Sequence, residues 1–151
     1  MYFYELIKNI SKNKKTKIYV DMDGVIASYD FGKPLNFKAK RPINTNINTL
    51  KKISKLQNIE LFILSVCRLN NEVNDKNDWL NKYAPFFDKK NRIILPRENT
   101  PYLAKELKLN YLKTLKTNEQ IIVIDDDNEV LKIIHENIKD IILYQDSEMI
   151  D

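Results

Sequence analysis

Five short apolar runs, spaced by stretches whose apolar residues recur at helical intervals, constrain this chain more than any other feature. The runs are Lys17 to Asp21, Glu60 to Ser65, Arg92 to Leu95, Gln120 to Asp125 and Asp140 to Tyr144. Each is of strand length and apolar at successive positions rather than alternate ones, which predicts strands covered on both faces. The stretches between them predict helices. Tyr2, Phe3, Leu6, Ile7 and Ile10 form one stripe, and Ile47, Leu50, Ile53 and Leu56 form a second, with Asn44 or Thr45 as its cap. A third helix over 74–83 turns Trp79, Leu80 and Tyr83 inward and ends before Pro85, and a fourth over 101–116 has Pro101 in its first turn. Val130, Leu131, Ile134 and Ile138 stripe the last. Strands alternating with helices predict an α/β fold, a doubly wound, Rossmann-like parallel sheet of five strands with helices on each side. A length of 151 residues suits one domain, 1–151.

Composition excludes several classes. The 43% hydrophobic and 30% charged content is ordinary globular usage. Apolar runs such as Leu61 to Leu64 fall far short of the roughly 18 residues a membrane span needs, and Glu5 and Lys8 interrupt the amino-terminal stripe where a signal peptide would be uniformly apolar. A single cysteine, Cys67, leaves no internal disulfide, which fits a reducing cytoplasm. The net charge of +4 raises the question of nucleic acid, but the lysines are scattered along the chain, as on a solvated surface.

Chemistry is expected where strands end, because ligands of open parallel sheets bind beyond the carboxyl ends of the strands. Three of the five runs finish in polar groups: Asp21-Met-Asp23-Gly24, Ser65, and Asp125-Asp126-Asp127. Single aspartates at such positions serve as turn formers and helix caps. Two acidic clusters meeting at one sheet edge would instead repel each other and call for a cation. All the donors are oxygens, which favours magnesium.

These residues carry a resemblance. Asp21-Met-Asp23-Gly24-Val25 resembles the first motif of haloacid dehalogenase (HAD) superfamily phosphatases, Ser65 the second, and Ile-Val-Ile-Asp125-Asp126 the fourth. Two-component receiver domains use similar residues, but their acidic pair comes first in the chain. The resemblance implies strand order 3-2-1-4-5 and a catalytic set of Asp21, Asp23, Ser65 and a lysine. Asp21 would be the nucleophile, giving an aspartyl-phosphate, and Asp23 the general acid and base. Magnesium would be held by Asp21, the Asp23 carbonyl, Asp125 and Asp126. Gly24, Ser65 and the lysine would receive the phosphate. Lys108, which begins a Lys-x-x-Tyr-Leu string, and Lys105, one helical turn earlier, are the two candidates for that lysine. Asp127 reads as a cap for the next helix.

Substrate class stays open. The intervals between motifs are filled by core elements, so the expected architecture is capless, with at most a flap over 27–42 turning near Gly32-Lys33-Pro34. That flap holds Tyr29, Phe31, Phe37, Lys33, Lys38, Lys40 and Arg41, which suit either an ordinary hairpin with buried aromatics or a base-stacking surface. Asp-Met-Asp-Gly-Val-Ile-Ala and Lys76-Asn-Asp-Trp79-Leu80 are similar to 5′(3′)-deoxyribonucleotidases, which implies nucleoside monophosphates as substrates. An open site would also admit a phosphorylated polynucleotide end or a protein, and a binding module without turnover is the remaining alternative.

Overall fold

The structure, a computed structural model, describes residues 2–29 and 36–150. Its centre is a parallel sheet of β1 (Thr16–Val20), β2 (Ile59–Cys67), β3 (Arg92–Pro96), β4 (Gln120–Asp125) and β5 (Ile141–Gln145), in the order β3-β2-β1-β4-β5. This is the predicted doubly wound order.

The double apolar character of the strands is explained by what covers them. On one face Ile18, Val20, Leu61, Ile63, Ile122 and Ile124 pack with α1 (Tyr2–Ile10), α2 (Asn44–Ile53) and α3 (Glu72–Tyr83), through Phe3, Ile7, Leu50, Ile53, Trp79 and Leu80. The intervening residues Tyr19, Phe62, Leu64 and Val123 point to the other face, against Leu112 of α4 (Ala104–Lys113) and Val130 and Ile134 of α5 (Asn128–Asn137). Tyr19 and Phe62 are register partners whose rings stack 4.6 Å apart. Each large side chain buried in these layers contributes about 1.5–3 kcal/mol.

Most boundaries differ from expectation by one to three residues, and three of the differences have a clear structural cause or consequence. The fourth helix begins at Ala104, not in the turn of Pro101, because Asn99 takes a left-handed conformation (φ 65°) and a turn bonds Thr100 N–H to the Arg97 carbonyl. Glu106 then accepts from the Leu103 N–H at 3.0 Å at the helix start. The second helix is preceded by Ile43 and has no side-chain cap; Asn44 and Thr45 lie inside its first turn. Its start is fixed by tertiary bonds instead, from Ile43 N–H to the Ile26 carbonyl (2.7 Å) and from Asn46 Nδ2 to the Val25 carbonyl (2.8 Å). The second strand runs on to Cys67, which places Ser65 inside it.

The legs of the expected flap are close together: Ala27 bridges Pro42, and Ser28 N–H bonds the Arg41 carbonyl at 2.8 Å. Phe37 and Lys38 belong to a short 3-10 turn, Phe37–Ala39. The turn expected at Gly32-Lys33-Pro34, with Phe31, lies outside the described residues. Among the described residues no helix is long and apolar enough to cross a membrane.

Candidate active site

The strand order reverses between β1 and β4, and the acidic clusters meet there. Val20 pairs with Ile124, so the next residues, Asp21 just past β1 and Asp125 at the end of β4, stand side by side, and Asp21 N–H donates to the Ile124 carbonyl at 3.0 Å. Both carboxylates are buried, at 7% and 1% exposure. Asp126 joins them: one carboxylate oxygen from each of Asp21, Asp125 and Asp126 lies within 4.8 Å of the others. After β1 the chain folds into a tight turn in which the Met22 carbonyl accepts from the N–H groups of Val25, Ile26 and Ala27. Gly24 takes φ +80° in that turn, and a Cβ there would stand 2.0 Å from Asp126 Oδ2. The glycine therefore makes room for the Asp126 carboxylate.

Lys108, on α4 and 4% exposed, reaches into the cluster with Nζ 3.0 Å from Asp21 Oδ1 and 2.6 Å from Asp125 Oδ2. Lys105 faces away, 3.6 Å from Glu129 on α5, and is not brought to the cluster. Asp127 accepts from Glu129 N–H at 2.9 Å and caps α5, as expected of it.

The electrostatics follow from burial and crowding. Burial first, then the neighbouring Asp125, push the Asp21 carboxyl up to about 7, despite Lys108. Burial and the Asp21 charge raise Asp126 to about 6. Asp125 is raised by burial, which Lys108 only partly offsets. For Lys108, burial alone would lower the ammonium, but Asp21 and Asp125 outweigh it and hold it charged. One lysine thus does not neutralise three carboxylates. An all-oxygen donor set with this surplus of negative charge fits a hard divalent cation.

Asp23 is held differently. Lys76 Nζ donates to its Oδ2 at 3.0 Å, and Lys40 Nζ donates to its Oδ1. Burial would raise the carboxyl, yet the two ammoniums prevail and keep it below its ordinary value. Lys76 is 2% exposed and also donates to Ser65 Oγ (2.6 Å) and the Val66 carbonyl (2.9 Å). Phe37 lies beneath both ammoniums, its ring centroid 5.0 Å from Lys40 Nζ and 4.9 Å from Lys76 Nζ. Trp79 closes the assembly by donating from Nε1 to the Lys40 carbonyl at 3.0 Å.

Ser65, expected to face the phosphate, is fully buried and bonded to Lys76. The reason is that β2 continues past it, so Val66 lines the cleft. The cleft encloses about 480 Å³ and is bordered by Asp21, Asp23, Lys108, Asp125 and Asp126, with the exposed Tyr29 at its edge. Cys67 is a buried filler whose thiol donates to the Leu69 carbonyl, and Arg68 is exposed beside it.

Lys76 and Lys40 are the site residues that sequence reading did not single out as such. A signal for Lys76 existed: it precedes Trp79, Leu80 and Tyr83 by three, four and seven residues, which sets it on the buried stripe of α3.

No family model matches the sequence, and no curated protein matches it. Its fold is similar to that of a chain in a structure of a Pnkp1/Rnl/Hen1 complex, with TM-score 0.70, 17% identity, and coverage of 88% of this chain and 46% of that one. A chain in a structure of the Pnkp1/Rnl/Hen1 RNA repair complex is also similar, with TM-score 0.67, 18% identity and coverage of 87% and 42%. This protein spans less than half the length of either chain, and identities this low show the fold alone.

Proposed function

We propose that this protein is a magnesium-dependent phosphomonoester hydrolase of the HAD type that works through an aspartyl-phosphate on Asp21. The observation that carries the reading is the meeting of Asp21, Asp125 and Asp126 around one point at the strand-order reversal, with Lys108 between two of them. Asp21, Asp125, Asp126 and the Asp23 carbonyl would hold magnesium, which when bound offsets charge on the carboxylates and on the transferring phosphoryl group.

This chain's residues supply the rest. An Asp21 carboxylate oxygen forms a bond to phosphorus as the bond from phosphorus to the leaving oxygen breaks, and Asp23 gives that oxygen its proton. Water then attacks phosphorus and yields its proton to Asp23, and the bond to Asp21 breaks, releasing inorganic phosphate. Lys108 orients the nucleophile and offers its charge to the phosphoryl oxygens. Asp23 is held ionised by its two lysines. A phosphate dianion beside them draws off part of their attraction and favours the protonated form that the first step needs.

The test is magnesium-dependent release of phosphate from an aryl phosphate, with a phosphorylated Asp21 peptide recovered after rapid quenching. Asp21→Asn should abolish both while the protein stays folded. Turnover that survives in that variant would overturn the reading.

Among substrates, a polynucleotide end is favoured over a free nucleotide by one observation. The flap closes on itself where Ala27 bridges Pro42 and Ser28 N–H bonds the Arg41 carbonyl, and no inserted domain covers the cleft among the described residues. The similar chains in complexes that include an RNA repair assembly support the same choice. Phosphate release should then be faster from terminally phosphorylated oligonucleotides than from nucleoside monophosphates and should weaken steeply with salt.

A further inference from the structure

A lysine ammonium has three hydrogens, and those of Lys76 have three acceptors within 3.0 Å: Ser65 Oγ, the Val66 carbonyl and Asp23 Oδ2. Two of the acceptors belong to β2, an interior strand paired on both sides, and the third is the carboxylate that the proposed reaction uses to move protons. Lys76 itself is sealed, 2% exposed, behind Phe37 and on the same helix as the buried Trp79. A buried charge with no task would carry a desolvation penalty that an apolar residue avoids.

We propose that Lys76 is a positioning residue of the phosphoryl-transfer site, which ties Asp23 to β2 and fixes the direction in which its carboxylate faces the leaving oxygen. Lys76 does not line the cleft, so it acts through Asp23 and not on the substrate. Lys40 completes the arrangement from the opposite oxygen, and its carbonyl is pinned by Trp79. Each carboxylate oxygen keeps a second lone pair, so both lysines can stay in place while Asp23 engages the leaving group. Ser65 thereby has a task away from the phosphate, as an anchor for the ammonium that aims Asp23.

The inference rests on the proposed hydrolase reading, and leaving-group dependence separates the two. An aryl phosphate with an acidic phenol departs without help, whereas an alkyl phosphate needs its oxygen protonated. Since kcat/KM reports the first phosphoryl transfer, Lys76→Met should lower it about 100-fold or more for the alkyl ester and about tenfold or less for the aryl ester. Lys76→Gln, which keeps a donor, should recover part of the alkyl activity. In an Asp23→Asn background, Lys76→Met should change the alkyl rate little, because the group it aims is already disabled. Circular dichroism and thermal melting of each variant establish that it is folded, and the Gln variant carries the test if Met does not fold. Equal losses on both esters, or additive losses in the double variant, would overturn the inference and leave the hydrolase reading intact. A wild-type protein with no phosphatase activity on either ester would overturn both.

Discussion

The carboxylate of Asp126 occupies the space where a side chain on Gly24 would begin, 2.0 Å from the position of a Cβ. The turn after β1 and the turn after β4 therefore interlock, and the acidic site is built around a missing methyl group. Gly24→Ala must both accept a left-handed backbone and displace Asp126. The expected loss is about 1–3 kcal/mol in urea unfolding, with weaker magnesium binding by calorimetry. Unchanged metal affinity would mean that Asp126 is dispensable.

Lys108 and Lys105 should behave oppositely although one helical turn separates them. Lys108→Met leaves Asp21 and Asp125 buried without their counter-charge, and removing one partner from such a group costs about 3–5 kcal/mol. The loss should be larger near neutral pH than in mild acid, where Asp21 can take a proton. Lys105→Ala breaks only a part-exposed pair with Glu129 and should shift stability by less than about 1 kcal/mol, with phosphatase activity retained. Chemical denaturation of both variants at two pH values checks this.

The metal-free protein should become less stable as pH rises from about 5 to about 8. Asp21 and Asp126 titrate near 7 and 6 when folded, above their ordinary value, so the folded state binds protons more tightly across this range. Their contribution is fully present below the unfolded value and is lost as pH climbs through the folded ones. Asp23 has the opposite sign, but its contribution is lost only in stronger acid. Magnesium competes with the same protons, so the melting-temperature gain it confers should grow with pH. A gain that is flat with pH would place the ion elsewhere.

Asp21→Asn should separate stability from activity. Removing a charge that burial and Asp125 oppose should hold or raise the melting temperature of the metal-free protein near pH 8, while turnover disappears. Differential scanning fluorimetry beside a phosphate-release assay tests both halves.

The parallel sheet was legible because apolar runs of strand length alternate with helical stripes, its order came only with the resemblance carried by the motifs, and Asp21 and Asp125 were legible as residues at strand ends. Ser65 was harder: its run continues through Val66 and Cys67, and a serine can sit inside a strand as easily as at its end. Lys76 and Lys40 escaped because lysines ordinarily mark solvent: the helical spacing that sets Lys76 beside Trp79 and Leu80 went unused, and Lys40 lies outside any helical stripe. The start of the fourth helix was misplaced because Pro101 is as compatible with an extended stretch before a helix as with its first turn.

The pairing of Val20 with Ile124 has a consequence for how such a chain can vary. Insertion of one residue within either strand would put Val20 or Ile124 where the acid of that strand now stands and turn that strand's hydrophobic faces over at the same stroke. Length change is better tolerated in the loops, and the alignment that lets the polypeptide collapse correctly is also the one that brings Asp21 and Asp125 together.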